Sequence, residues 1–239
     1  MSNSTRDQFN DLLRSEGLRA GIVPVGNIPN EESRLNEVNR LGILNRDLDQ
    51  EAHYNALTQL AAIITKSQIG LINILGSNIQ QCKTNFGFNV LESTLTEEMP
   101  REISICQYSL ASPQEPLIIN DLFLDERTKH FKKLEAYENL RFYAGSPLIS
   151  SRGFSIGTLC VIDDKPKKIE HDQIEGLRLL ADQVVNMLEQ EFNDNSNQNI
   201  DPEDISNVIE TNRITKYFST SSILFADFGP NPGSLEINL

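Results

Sequence analysis

Two apolar runs separated by a four-residue turn constrain the fold of this chain more strongly than any other feature. Residues 141–149 and 154–162 are rich in the apolar, aromatic and β-branched side chains of buried strands. Between them, residues 150–153 read Ser-Ser-Arg-Gly, which is typical of a tight hairpin connection. A connection this short joins antiparallel strands, because parallel pairing needs a crossover of a dozen or more residues. We therefore predict that these two runs are the central strands of an antiparallel sheet.

The rest of the chain supplies further strands and the helices that cover them. Residues 69–75 and 79–84 predict a second strand pair joined by a Gly-Ser-Asn turn, and residues 116–120 predict another strand. Helices are predicted by apolar side chains at helical spacing, and their approximate ranges are 31–45, 51–66, 104–110 and 171–192. Because long helices stand at both ends of a run of hairpin-connected strands, we predict an α+β domain with helices on one face of a five- to six-stranded antiparallel sheet.

The charge balance excludes several classes of partner. The 239 residues contain 21 Lys and Arg against 34 Asp and Glu, a formal net charge of −13. Such a surface repels phosphate polyanions and anionic lipids, so we expect neither nucleic-acid nor membrane binding. Residues 1–20 have no apolar core of a signal peptide, and the three widely spaced cysteines suggest no disulfide framework. The sequence predicts a cytoplasmic protein.

The composition divides the chain into four parts. Residues 1–27 combine one short amphipathic piece with a Gly- and Pro-containing passage and are predicted to be an arm before the core domain at 28–192. Residues 193–213 are rich in Asn and acidic side chains and are predicted to be a solvated linker. Residues 214–239 form a tail too short to fold as a domain of its own.

Several sequence blocks within 28–192 resemble a GAF domain, and they occur in the family's order. The blocks are Pro29-x-Glu31-x-x-Arg34-Leu35, Asp121-x-x-x-Asp125-x-Arg127, Arg141-Phe-Tyr-Ala-Gly-x-Pro-Leu148 and Gly157-Thr-Leu-Cys-Val-Ile-Asp163. The resemblance implies a central antiparallel sheet with helices on one face and a ligand pocket on the other. It also implies a non-catalytic sensory or dimerising module, of the kind attached to histidine kinases and nucleotide cyclases. It leaves the ligand, and any cofactor, unknown.

Seven residues are candidates for contact with a small-molecule ligand. Cys106 and Tyr108 stand where the resemblance places the start of the pocket wall, and Tyr143 belongs to the Phe-Tyr-Ala-Gly block. The remaining four lie in or beside the locally most basic stretch of the chain and are Asp121, Asp125, Arg127 and Arg141. Arginines orient carboxylate or phosphate groups bidentately, so an anionic ligand is one interpretation. The alternative is that these aspartates and arginines pair with one another and order the loop.

Other functions follow from narrower resemblances. The tail segment 221–228 is similar to the first strand of a class III nucleotide cyclase, which suggests a truncated cyclase-like protein whose GAF domain serves only for dimerisation. Terminal helices of GAF domains often pair, and Leu41, Leu44 and Met187 are candidates for a homodimer seam. Some GAF proteins are free methionine sulfoxide reductases, for which Cys82 and Cys106 are the available thiols, but the Cys-containing, Gly-rich loop of those enzymes has no counterpart here.

Neither a metal site nor a catalytic residue is predicted. His53, His130 and His171 fall on different predicted elements without the i, i+4 spacing of helical metal ligands. Cys106 is followed by Gln107 rather than His, so the Cys-His pair of a bilin-binding GAF domain is missing. The signature of the cyclic-nucleotide-binding subgroup is also incomplete. We expect a regulatory module without catalytic activity that passes a signal to an effector domain.

Overall fold

A computed structural model describes residues 3–49, 51–87 and 98–198 of the chain. Its helices are α1 (Asn3–Ala20), α2 (Glu31–Leu41), α3 (Ala52–Thr65), α4 (Gln107–Ala111) and α5 (His171–Gln198). Its strands are β1 (Ile69–Leu75), β2 (Ile79–Phe86), β3 (Glu98–Pro100), β4 (Leu117–Ile119), β5 (Phe142–Ile149) and β6 (Ser155–Asp163). Short 3-10 turns cover residues 43–45, 101–103, 131–133 and 135–137.

The six strands form one sheet in the order β3-β2-β1-β6-β5-β4, and every neighbouring pair is antiparallel. This confirms the predicted α+β class and antiparallel sheet. The predicted hairpin is β5 and β6, but the prediction that both are central strands is wrong for β5, which has only β4 beyond it, because β1 pairs with the other edge of β6. Strand β6 lies at the centre. Its partner at the centre is β1, which pairs with β6 from Ile69–Ile162 to Ile74–Gly157.

The helical layer covers one face of the sheet. Alternate residues of the central strands, including Ile72, Phe142 and Val161, are buried against α2, α3 and α5 in one apolar cluster. Gly70 allows close packing of α3 on the sheet, and Gly157 allows close approach of β6 to the neighbouring strand β1. A Cβ on Gly70 would lie 2.2 Å from the carbonyl oxygen of Thr58 in α3, and one on Gly157 would lie 2.1 Å from the carbonyl oxygen of Asn73. The glycines of these strands therefore serve close backbone approach rather than turns.

The opposite face of the sheet is covered by a second apolar cluster. It is built from α1, the extended arm at residues 21–28 and the segment from β3 to the start of β5. Leu13, Ala20, Ile22 and Ile28 of the N-terminal region are buried in it. The arm thus begins with an 18-residue helix, longer than the short amphipathic piece that the sequence predicts, and it packs on the domain. None of the helices in the described ranges has the length and apolar character needed to cross a bilayer.

The contacts of the chain divide it between Phe192 and Asn193, and residues 1–192 form a compact unit. The last helix continues through Gln198, so the linker predicted to begin at residue 193 is helical over its first six positions. The reason is that Asn and Asp at the end of a long amphipathic helix do not stop it without a Gly or Pro. The rest of the predicted linker and the predicted tail at 214–239, with its cyclase-like strand, lie outside the described residues.

Candidate ligand-binding site

A patch of polar and thiol side chains is buried on the sheet face opposite the helical layer. Asn73 of β1 donates from Nδ2 to the sulfurs of Cys106 and Cys160, each at 3.4 Å. The hydroxyl of Tyr143 donates to Cys106 Sγ at 3.3 Å. All four side chains are at most 3% exposed. The patch therefore spans β1, β6 and β5, and Cys106, which directly precedes α4, contacts Asn73 and Tyr143 in it.

One atom of this patch lacks a partner. The side-chain oxygen of Asn73 is buried, and no group in the described part of the chain donates a hydrogen bond to it. A buried amide oxygen without a donor costs on the order of 1–3 kcal/mol. The sequence carried a signal for this position, because Asn73 is the one polar residue in the apolar run 69–75. The sequence alone shows no partner for Asn73 and therefore does not single it out as a site residue.

The three cysteines differ in ionisation. Burial opposes the thiolate of Cys106, but hydrogen bonds from Cys160, Tyr143 and Asn73 outweigh it and lower the pKa of Cys106. The hydrogen bond between Cys160 and Cys106, together with burial, raises the pKa of Cys160. Burial also raises the pKa of Cys82, to about 12. Cys106 is therefore the most acidic thiol, but it is 3% exposed, which limits its access to any substrate.

The charged candidates form two internal pairs. Arg141 makes a bidentate contact with Asp121, with Nη2 2.6 Å and Nε 3.0 Å from the two carboxylate oxygens. Its guanidinium also lies over the ring of Phe123, 4.6 Å from the ring centre. The hydrogen bond from Arg141 lowers the pKa of Asp121, and Asp121 raises that of Arg141. The carboxylate also accepts from the main-chain N–H of Phe123. This pair orders the loop before β5.

The second pair is Asp125 with Arg127, whose Nη2 and Nε donate to the carboxylate at 2.6 Å and 2.9 Å. The hydroxyl of Tyr108 lies 2.9 Å from the carbonyl oxygen of Arg127 and 3.1 Å from that of Val23 in the arm. The seven sequence-predicted residues thus fall into three contact groups: Cys106 with Tyr143, Asp121 with Arg141, and Tyr108 with Asp125 and Arg127. The arrangement matches the structural interpretation of the charged residues more closely than a ligand-binding lid.

A cavity of about 350 Å³ lies between the N-terminal arm and the edge of the sheet. Its apolar wall includes Ile22, Val25 and Ile28 from the arm. Its polar wall carries two guanidinium groups and one carboxylate, from Arg14, Arg101 and Glu102. The volume falls in the range of small-molecule sites, and a mainly apolar wall with a few polar groups is their usual character. The sequence did not indicate this site, because Arg14 and Arg101 line the same cavity only when the arm folds back.

Polar contacts hold the arm over this cavity. Gln107 accepts a 2.8 Å hydrogen bond from the main-chain N–H of Val25 and donates to the carbonyl oxygen of Glu102 at 2.6 Å. Arg14 Nε donates to Glu102 at 2.7 Å, and Lys133 Nζ donates to the carbonyl oxygen of Ala20 at 2.7 Å. The cavity therefore depends on both the arm and the segment after β3.

The cavity is also connected to the helical layer. Arg101 Nη1 donates to the carboxylate of Glu31, the first residue of α2, at 2.5 Å and to the carbonyl oxygen of Gly76 at 2.8 Å. Glu31 is in turn held by Arg34 at 2.6 Å. A group that displaced Arg101 would thus change the contacts at the start of α2.

Comparison with known proteins gives the family. The model of the GAF domain matches residues 49–188. A cyclic di-GMP phosphodiesterase of Pseudomonas aeruginosa is 29% identical over 137 residues, which cover 57% of this chain and 22% of the phosphodiesterase. The chain thus matches only about a fifth of that relative's length.

Two solved structures show the same fold at low sequence identity. A domain described as part of a two-component sensor histidine kinase of Sinorhizobium meliloti has a TM-score of 0.51 at 15% identity, covering 62% of this chain and 97% of that domain. The blue-light-absorbing form of the PixJ GAF domain of Thermosynechococcus elongatus has a TM-score of 0.51 at 13% identity, covering 70% of this chain and 95% of that domain. With the family model spanning residues 49–188 and the six-stranded sheet in place, this chain belongs to the GAF domain family.

Proposed function

We propose that this chain is a non-catalytic regulatory module of a signalling protein, and that it senses a small anionic molecule in the cavity beneath its N-terminal arm. The observation that carries the proposal is the cavity itself, about 350 Å³ with an apolar wall opposite Arg14 and Arg101. A carboxylate or phosphate group would replace the carboxylates that these guanidiniums now contact. The apolar part of the ligand would lie against Ile22 and Ile28.

The signal would travel as a shift between two arrangements of the arm. A ligand shifts such an equilibrium only by the difference in its affinity for the two states. An anion that takes Arg101 from Glu31 would change the start of α2, and α2 packs on β6 in the helical layer. The expected receivers are effector domains attached to the chain, and signalling proteins among its relatives and structural neighbours support that expectation.

A ligand screen by thermal shift tests the proposal, with cyclic nucleotides, amino acids and organic acids as the library. A ligand present at a hundred times its Kd would stabilise the fold by about 2.7 kcal/mol, a rise in Tm of several degrees. We expect the rise to shrink in Arg14→Gln and Arg101→Gln but not in the matched control Arg178→Gln, whose arginine is exposed on α5. Silence across the library, or a hit unaffected by both cavity variants, would contradict the proposal.

A dimerising role is the second candidate, because the helical layer exposes large apolar side chains. Leu60 and Ile63 of α3 and Leu179 of α5 are 42%, 60% and 68% exposed. The seam residues suggested by the sequence differ from these: Leu41 is 3% exposed, and Leu44 and Met187 pack partly against the domain's own core. Light scattering tests this role, and we expect Leu179→Glu to shift a dimer towards monomer. A concentration-independent monomer in the parent protein would exclude it.

The sulfoxide reductase alternative needs an exposed, acidic thiol with a resolving partner. Cys106 is buried and the pKa of Cys82 is raised to about 12, which disfavours thiol catalysis. A thiol-coupled assay of free methionine sulfoxide reduction decides the matter. We expect no turnover in the parent protein, whereas turnover that is lost in Cys106→Ser would overturn the non-catalytic assignment.

A further inference from the structure

Three side chains from two distant segments converge beside the start of α3. Glu51 directly precedes this helix, His53 lies in its first turn, and Glu191 lies in α5. One ligand atom from each comes within 4.8 Å of the other two. His53 Nε2 is 3.2 Å from Glu51 Oε2 and also 3.2 Å from Glu191 Oε1. Two carboxylate oxygens and an imidazole nitrogen therefore face one another.

The other oxygens of both carboxylates are already held. Arg46 Nη2 lies 3.1 Å from Glu51 Oε1 and 2.6 Å from Glu191 Oε2. The hydroxyl of Tyr54 donates to Glu191 Oε2 at 2.7 Å. These contacts fix the orientation of the carboxylates and turn their remaining oxygens towards His53. Support of this kind, from groups that bind the ligands rather than the ion, is typical of metal sites in proteins.

The spacing fits a small divalent cation. Zinc lies about 2.0–2.1 Å from nitrogen and oxygen ligands, so tetrahedral geometry places neighbouring ligand atoms about 3.3 Å apart. The two measured distances from His53 Nε2 are 3.2 Å. Two carboxylates, one guanidinium and a neutral imidazole sum to one negative charge, which favours a divalent cation despite Arg46. The side chains of Glu51, His53 and Glu191 are 29%, 44% and 27% exposed, so water can complete the coordination.

The geometry points to a binding site for a divalent transition-metal cation, with Zn²⁺ as the representative ion, formed by Glu51, His53 and Glu191. Arg46 and Tyr54 are positioning residues. The ion would join the start of α3 to α5 just before Phe192, the last residue of the compact unit. Without the ion, His53 Nε2 contacts the two carboxylates directly. These two states are the alternatives that an experiment must separate.

Calorimetric titration of the full chain with Zn²⁺ separates them. We expect one saturable site in the parent protein and no detectable site in His53→Gln. The matched control is His171→Gln, which removes an exposed histidine at the start of α5 and should bind as the parent does. Tyr54→Phe removes only a hydrogen bond to Glu191 and should weaken binding by about tenfold. Absence of a site in the parent, or unchanged binding in His53→Gln, would overturn the proposal.

Cobalt(II) gives a readout that needs no variant. Bound Co²⁺ should shift the imidazole proton resonances of His53 and leave those of His130 and His171 in place. Its absorption spectrum should lack the intense thiolate charge-transfer band, because the proposed ligands are oxygen and nitrogen. A strong thiolate band with an unshifted His53 would place the ion at the cysteines and refute the site. Circular dichroism in the presence of a chelator should show the same fold for the parent and His53→Gln.

Discussion

The guanidinium of Arg34 donates a 2.7 Å hydrogen bond from Nη1 to the carbonyl oxygen of Leu75, the last residue of β1. The same nitrogen lies 3.2 Å from the carbonyl oxygen of Ser155, the first residue of β6. Arg34 is 3% exposed and is paired with Glu31 through Nε at 2.6 Å. One side chain of α2 therefore satisfies the ends of both central strands, which gives a structural reason for the Glu31-x-x-Arg34 block.

Replacing this arginine should destabilise the domain strongly. Arg34→Met leaves the carbonyl oxygens of Leu75 and Ser155 without this donor and removes one of the two arginines that pair with Glu31. We expect a loss of about 3–5 kcal/mol in the free energy of unfolding, as for other broken buried pairs. Urea unfolding measures it. The control Arg178→Met breaks an exposed pair with Glu175 and should cost under about 1 kcal/mol; equal losses in both variants would contradict the explanation.

The same network predicts a dependence of stability on pH. Burial raises the pKa of Glu31, but hydrogen bonds from Arg34 and Arg101 outweigh it, so the pKa lies below its ordinary value of 4.5. A carboxylate with a lowered pKa stabilises the folded state above the unfolded pKa, and this stabilisation is lost as the pH falls through the folded value. The stability difference between the parent and Glu31→Gln should therefore be largest above pH 4.5 and narrow below it.

Urea unfolding of both proteins between about pH 6 and pH 3 measures this difference. The control is Glu32→Gln, which removes the neighbouring exposed carboxylate of the same helix turn. We expect the free energy of unfolding to change less with pH in Glu31→Gln than in Glu32→Gln. A difference from the parent that stayed constant across the whole range would show that Glu31 contributes by packing and not by its charge.

Close packing of α3 on β1 gives a prediction about glycine. Gly70→Ala would place a Cβ 2.2 Å from the carbonyl oxygen of Thr58, which belongs to helical backbone and cannot move alone. Overpacking of this kind typically costs about 1–3 kcal/mol. Gly26→Ala is the control, because no atom lies within 4 Å of a Cβ at that position. Thermal unfolding should show a lower Tm for the first variant only, and a neutral Gly70→Ala would mean that α3 is free to shift.

The sequence predicted the strands well because their signal is local. The runs at 69–75, 141–149 and 154–162 each contain enough apolar residues to be recognised alone, and each became a strand. Strand β3 was missed because Glu98–Pro100 has three residues and only one of them is strongly apolar. The helix α1 was underestimated because its apolar positions are few, and its packing on the segment near Ile103 depends on tertiary contacts.

The functional candidates also divide into those that the local sequence predicts and those that depend on tertiary contacts. Asp125 and Arg127 are two positions apart, so their pairing follows from local sequence. The cavity requires Arg14 and Arg101 to line the same space, and the proposed metal site requires contact between His53 and Glu191, 138 positions later. No spacing rule connects residues at such separations. Only the folded chain brings them together, and a histidine without helical i, i+4 partners gave no reason to expect metal ligation.

Release of the arm should be measurable at a single amide. Gln107→Ala removes the acceptor of the Val25 N–H and the donor to the carbonyl oxygen of Glu102. Loss of one hydrogen bond, worth about 1 kcal/mol, should speed exchange of the Val25 amide about fivefold if it exchanges through local opening. Hydrogen exchange followed by NMR measures it.

The matched control is Gln173→Ala, which removes a 2.8 Å hydrogen bond to the carbonyl oxygen of Ile64 in the helical layer and should leave Val25 unchanged. Equal protection of Val25 in the parent and Gln107→Ala would show that the other contacts of the arm, among them the buried side chains of Ile22 and Ile28 and the hydrogen bond from Lys133 to Ala20, hold it without Gln107. In that case the arm would open only with the core, and a ligand could not enter the cavity by local release. Faster exchange at Val25 confined to the Gln107 variant would instead give the cavity a route of entry that costs little more than one hydrogen bond.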